Sequence, residues 1–504
     1  MKTHVFTSKL LIASLAAFLF AQTGYAIDVG STGSDGSFDP PVSTDVDLPP
    51  SGVFNFTTVN VRAGVTVRFK RNAANTPVVI LATGNVSIAG TIDVSGDNAP
   101  AVGTAGGGAL GDDALPGKGG PGGFDGGAGG PTNSTDSRGG NGLGPGGGRF
   151  GEGFYPGPSC INSAGASTGG GGGGFGATGA NGTLGSFSCN GFTYAQAAGG
   201  PIYGSPQLLP LIGGSGGGGG GGGSVFEGGG GGGGGGAILI ASNTTVSITG
   251  SILANGGKGA DSTGAGLGAT GGGGSGGAIR IVADVISGNG SVLARAGAAG
   301  TLSSSGPASV YDAGAGGAGR IRLEANTLTR NGTNDPLASV DLPGPVQVAG
   351  LPTLTITSVA GVQAPANPTG VADITLPANT QNPVTVTFAT TSVPVGNTVK
   401  LTVTPANGAP VTVVSPALVG STDNATASVQ VALPVGPSVL LATTTYTIVA
   451  SLGDSLSRYA QGERVEQVRL DAVLGGLSGV TLITASGREF EVPAQVLAAL
   501  SSGN

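Results

Sequence analysis

Few residues in this chain are of a type that does chemistry. Two adjacent acids, Asp112 and Asp113, sit inside a glycine-rich stretch, and isolated acids stand at Asp93, Asp261 and Asp284. Paired carboxylates on one face can hydrolyse a glycosidic bond. Neighbours along an extended strand point to opposite faces, so Asp112 and Asp113 do not form such a pair alone. The only histidine is His4, and there is no tryptophan. Because His4 falls within the leader described below, the mature chain has no imidazole. That removes Ser-His-Asp and Cys-His catalysis and histidine-ligated zinc. The expectation is a protein with no catalytic residue, no cofactor and no metal.

Two other groups of residues stand out. Cys160 and Cys189 are the only cysteines, and in an exported chain the pair reads as a disulfide worth roughly 3–4 kcal/mol in the loop-entropy account. Around them cluster Phe150, Phe154, Tyr155, Phe175, Phe187, Phe192, Tyr194 and Tyr203. Aromatic side chains on loops of a rigid scaffold form recognition surfaces, so this set is the candidate binding face. The competing reading makes them small apolar pins that hold glycine-rich loops together.

The first 26 residues read as an export signal. Lys2 and Lys9 flank an apolar core from Leu10 to Phe20, and Gly24-Tyr25-Ala26 forms a small-x-small cleavage site. The core is too short to span a bilayer, and no later stretch is apolar enough to do so. The residue directly after the cleavage point is Ile27, not a cysteine that could carry a lipid. The mature chain is expected to begin near Ile27, in the extracellular space or on the outer cell surface, with the periplasm as the other compartment. Without the two leader lysines, 18 basic residues face 27 acidic ones, a net charge of −9. So acidic a chain, with only 9% charged residues, is no nucleic-acid binder and no polybasic membrane binder.

A repeat underlies the glycine. The segment 237–257, AILIASNTTVSITGSILANGG, aligns without a gap to 77–96, PVVILATGNVSIAGTIDVSG. A third copy is AIRIVADVISGNGSVLARAG at 278–297, and a partial fourth is RIRLEANTLTRNG at 320–332. Each copy alternates apolar and polar residues, the period of a half-buried strand, then turns at glycine into a second short strand. One copy cannot bury its own apolar face, whereas stacked copies make a continuous core. The arrangement resembles the parallel, right-handed β-helix of many exported surface proteins and polysaccharide-acting enzymes, over roughly residues 52–335. Enzymes of that kind stack acids on one face. Here Asp93 aligns with Leu253, and neither Asp261 nor Asp284 has an acidic counterpart one coil away.

The glycine, 105 residues in all, lies between strand units rather than at domain edges. It fills a large insertion, 97–236, and a shorter one, 255–277. The runs carry almost no serine, unlike flexible tethers, and glycine chains can pack closely as extended three-fold helices. In composition they resemble the glycine-rich segments of phage tail-tip adhesins, where packed polyglycine helices present variable loops. A single Gly-Gly-x-Gly-x-Asp match, GGKGADSTG at 256–264, resembles the calcium-binding nonapeptide of β-rolls, but it has no tandem copy, and Thr263 stands where a large apolar residue belongs.

The fold expected is all-β. After the leader (1–26) and a linker (27–51) comes a β-solenoid with glycine-rich loops (52–342). An antiparallel sandwich similar to bacterial immunoglobulin-like modules follows (343–450), then a small C-terminal β module (451–504). The function expected is non-enzymatic: an exported structural or adhesion protein whose loops bind a surface ligand, a glycan or a protein. The alternative is a polysaccharide lyase or glycoside hydrolase on the same scaffold.

Overall fold

The computed structural model describes residues 27–102, 114–132, 136–153, 167–183, 188–189, 192–193, 195–223, 227–262, 268–302, 312–346, 351–365, 373–406, 408–474, 476–492 and 494–497. Residues 1–26, expected as the leader, lie outside them. Nearly all regular structure is strand, in parallel sheets followed by antiparallel ones.

The repeat copies stack. Strand Ala237–Ile248 lies parallel to Val78–Ala82 and Val86–Ile88 on one side and to Ala278–Ser287 on the other. The latter pairs with Arg320–Leu328. Register follows the alignment: Ile240 sits between Ile80 and Ile281, and Val246 between Val86 and Ile286. The second short strand of each copy builds a second parallel sheet, with Ile92, Ile252 and Val292 in line. These side chains close a core of wholly buried Val and Ile, each worth about 1.5–3 kcal/mol relative to exposure.

Residues 27–51, expected as a linker, belong to this column. Ser37–Phe38 pairs with Thr58–Val59, and Thr44–Asp47 pairs with Val67–Lys70. The cause is Phe38, whose ring stacks on Phe56 at 5.1 Å. It gives a two-residue edge strand an apolar foothold.

The glycine runs are ordered bodies packed side by side. In a three-residue-per-turn helix, successive N–H groups point in three directions, and each direction finds a different neighbour. Gly214, Gly217 and Gly220 donate to the carbonyls of Gly235, Gly232 and Gly229. Gly216, Gly219 and Gly222 donate to Leu143, Gly140 and Ser137. Gly218 and Gly221 donate to Gly171 and Thr168. The run 228–236 repeats the rule with the chains at 124–130, 269–275 and 94–97. Cα–H groups also meet carbonyls. A Cβ on Gly218 would lie 2.1 Å from the Arg149 carbonyl oxygen, and one on Gly231 would lie 2.0 Å from that of Gly217. Only glycine fits there, and its Cα–H makes a weak hydrogen bond instead.

The C-terminal part is a sandwich of two antiparallel sheets. One has five strands, among them Thr353–Val359, Val384–Thr391 and Asn424–Val431. The other has six. The segment expected as a separate module, 451–504, supplies three of those six: Val465–Val473, Gly476–Thr484 and Glu489–Glu491. Leu470 and Leu482 bury in the same core as Leu401, so the boundary at 450 divides one sheet. The turn of the last hairpin is fixed by Gly487 at φ +81° and by Glu463, which accepts hydrogen bonds from Ser486, Arg488 and Thr484.

Replacing Gly218 or Gly231 by alanine is expected to cost about 1–3 kcal/mol, the usual penalty of overpacking, read as a lowered denaturation midpoint. The bonds from Ser486, Arg488 and Thr484 hold the Glu463 carboxyl down at about 2. A carboxyl depressed in the folded state stabilises fully above its unfolded value and loses that stabilisation as pH falls through the folded one. The hairpin contact is therefore expected to weaken between about pH 4.3 and pH 2, followed by side-chain NMR, and E463Q is expected to flatten that dependence.

Candidate functional site

The glycine runs leave the solenoid and return to it, so each has a base near the strands and a far end. Residues 94–102 leave after strand Thr91–Asp93, and 228–236 return into Ala237–Ile248. The far ends form one connected network. Parallel bridges join Val102, Ser262 and Leu302. Gly129 N–H donates to the Ala114 carbonyl, Gly228 to Gly130, Gly222 to Ser137 and Thr168 to Glu152. Gly229 reaches Ala269, Thr183 reaches the Asp312 carbonyl, and Ala313 reaches the Thr270 hydroxyl. The chain between these residues, at 103–113, 133–135, 154–166, 184–187, 224–226, 263–267 and 303–311, lies outside the described residues. Its points of departure and return all lie at the same end of the bundle.

The aromatic candidates divide between the two ends. Phe175 and Tyr203 are buried at the base, 1% and 7% exposed, with ring centroids 4.9 Å apart. The Tyr203 hydroxyl donates to the Gly213 carbonyl at 2.6 Å and accepts from the Ser215 hydroxyl at 3.0 Å. Burial pushes that phenol well above its ordinary range. These two are pins, and neither can meet a ligand. They are buried because the apolar segment around Leu208, Leu211 and Ile212 covers the outer side of the first parallel sheet, where Leu81, Leu239 and Val282 face away from the column.

Phe150 is half-buried on an outer run of the bundle. The Arg149 guanidinium lies 4.9 Å from its ring centroid and that of Arg138 lies 5.8 Å away. Glu152 bridges the two arginines at 3.3 and 3.5 Å. Phe154, Tyr155, Phe187 and Tyr194 lie outside the described residues, as does Cys160 of the expected disulfide. Of Cys189 and Phe192 only the backbone is described, as two short strands paired antiparallel.

The isolated acids are engaged. Asp93 pairs with Arg68 at 3.1 Å, and Asp284 accepts from Asn326 at 2.9 Å. Burial works to raise the Asp261 carboxyl, but bonds from Lys258 and Thr301 outweigh it and hold the group below its ordinary value. Asp112 and Asp113 are outside the described residues. Among the described residues no group of three or more metal-ligating side chains converges, and no helix is long and apolar enough to cross a membrane.

Sequence reasoning did not find a buried charge cluster on the outer side of the first sheet, Arg280, Arg322 and Glu324. Alternation along these strands places the three outside the column. Nothing in the local sequence says that this outer side is itself covered.

No protein-family model matches the chain, nor does any characterised protein or solved structure.

Removing the Tyr203 hydroxyl leaves the Gly213 carbonyl without this bond. Tyr203→Phe is expected to cost about 1–3 kcal/mol in chemical denaturation while leaving the far end of the bundle, probed by hydrogen exchange, unchanged.

Proposed function

We propose that this chain is an exported, non-enzymatic surface or extracellular protein that binds a glycan or protein ligand through loops held at the far end of the polyglycine bundle. The observation that carries this reading is the convergence of the far ends of the glycine runs at one end of the bundle, joined there by backbone hydrogen bonds. Loops on a rigid base carry recognition in many folds. The sequence concentrates non-glycine, aromatic residues in the stretches that leave this platform, notably Phe154, Tyr155, Phe187 and Tyr194. The adhesin-like resemblance of the glycine runs points the same way. The leader assigns the protein to the outside of the cell or to the periplasm, and the Cys160–Cys189 disulfide suits either compartment. The solenoid and an immunoglobulin-like sandwich then act as the base.

The test must spare the bundle. Removing all of 150–203 would also remove Gly170 to Gly174, which bond to three neighbouring runs, and the Phe175–Tyr203 pin. Replacing only 154–166, or only 184–187, with Gly-Ser links of equal length keeps the platform. In glycan-array and whole-cell binding assays, at least one replacement is expected to weaken binding by about tenfold or more, that is 1.4 kcal/mol, with an unchanged melting temperature. Full binding by both variants would remove the reading.

A further inference from the structure

The outer side of the first parallel sheet carries more positive charge than its neighbours neutralise. Ile279 and Ile281 point into the column, so Arg280 between them points out. The same alternation turns Arg320, Arg322 and Glu324 outward on the next strand, where Arg280 is level with Arg322 and Ala278 with Arg320. Strand spacing and rise put Arg280 and Arg320 about 8 Å apart along the diagonal.

Arg280 and Glu324 are each only 1% exposed. Arg280 Nε and Nη2 donate to Glu324 Oε1 and Oε2 at 3.0 and 2.8 Å. Arg322 also binds Glu324, and it binds Asp341 at 3.0 Å. Arg320 Nη2 donates to the Tyr203 carbonyl at 3.2 Å, and its guanidinium lies 5.6 Å from the Phe175 ring centroid. Among the described residues three guanidiniums thus share two carboxylates, and that of Asp341 is 61% exposed. Two donors are buried without any partner, Arg280 Nη1 and Arg320 Nε.

Arginine cannot discharge by losing its proton. A buried donor without a partner is costly, more so when charged: Arg280 has its charge paired with Glu324 but keeps one such donor, and the half-buried Arg320 has no carboxylate partner among the described residues. The cover is apolar. One buried cluster holds Leu239, Val282 and Tyr203 together with Leu354 and Val384 of the sandwich. It is also close: a Cβ on Gly344 would lie 3.3 Å from Glu324 Oε2 and 3.6 Å from Arg280 Nη2. We propose that a monatomic anion of chloride's size and charge binds at Arg280 Nη1, where solenoid and sandwich meet. It supplies the missing negative charge and ties the docking of the two parts to the halide outside.

The test uses the whole mature chain. In a buffer whose gluconate is exchanged for chloride at constant ionic strength, the melting temperature is expected to rise by a few degrees and saturate, as ligand linkage requires. Crystals soaked in bromide are expected to show an anomalous peak within hydrogen-bonding distance of Arg280 Nη1. Glu324→Gln frees another guanidinium and is expected to enlarge the chloride-dependent rise, whereas Arg280→Met is expected to abolish it. A melting temperature indifferent to chloride, or a bromide map with no peak beside Arg280, means that the donor meets only water and overturns the proposal. Should Arg280→Met not fold, the titration and the bromide map of the unmodified protein still decide.

Discussion

The absence of a side chain at each interior position of the glycine runs is the constraint on which the bundle depends. Lateral backbone bonds form only if chains approach until Cα–H meets carbonyl oxygen, and a Cβ at almost every such position would overlap a neighbour's carbonyl. Ordering glycine is expensive, because it loses more backbone freedom than any other residue, and one hydrogen bond contributes only about 0.5–1.5 kcal/mol net. The bundle is stable in this structure because most run residues donate to one neighbour, accept from another and add a Cα–H contact. The two interior serines test the rule. Ser215 and Ser275 lie at the base, where each side chain has a polar partner: Ser275 Oγ accepts from Ser215 N–H at 2.8 Å, and Ser215 Oγ donates to Tyr203.

Such a lattice has no apolar core, so something else must bring its chains together. The column of Val and Ile does so, by fixing where each run begins and ends. Strands Val78–Ala82 and Ala237–Ser242 pair across the whole insertion, and closing so long a loop costs only slowly more with length. The apolar segment 208–212 and the Phe175–Tyr203 pair then fasten the base of the bundle to the outer side of the sheet. Three kinds of interaction share one sheet: apolar packing inside it, aromatic and ionic packing outside it, and backbone bonds beyond its edge.

Much of this was legible in the sequence, for identifiable reasons. The solenoid was readable because Val86 and Val246, or Ile80 and Ile240, must fall in register if their faces are to be buried, and a one-residue slip would turn them outward. The sandwich strands were readable from alternation. The linker at 27–51 and the module at 451–504 were misassigned because composition marks a boundary only when it also marks a change of partner. Phe38 and Leu470 find theirs in the neighbouring sheet. The roles of Phe175 and Tyr203 were not legible, since an aromatic residue among glycines reads alike whether its ring is a pin or a platform. Arg280 and Glu324 were hidden for a related reason: a charged residue on an outward strand position reads as solvated unless the covering element is known.

The three-fold lattice also explains where the chain keeps its chemical variety. Inside a run a side chain cannot enter without displacing a carbonyl, so substitutions there act on the whole bundle. Under the proposed function, that variety belongs to the loops at the far end. A ligand-binding loop on a flexible stalk must pay for its own ordering when it binds. A loop whose two ends are pinned on neighbouring hydrogen-bonded chains has lost part of that freedom already. Under the proposed function, the glycine is therefore what separates the sequence that folds from the sequence that recognises, and it lets the second change without cost to the first.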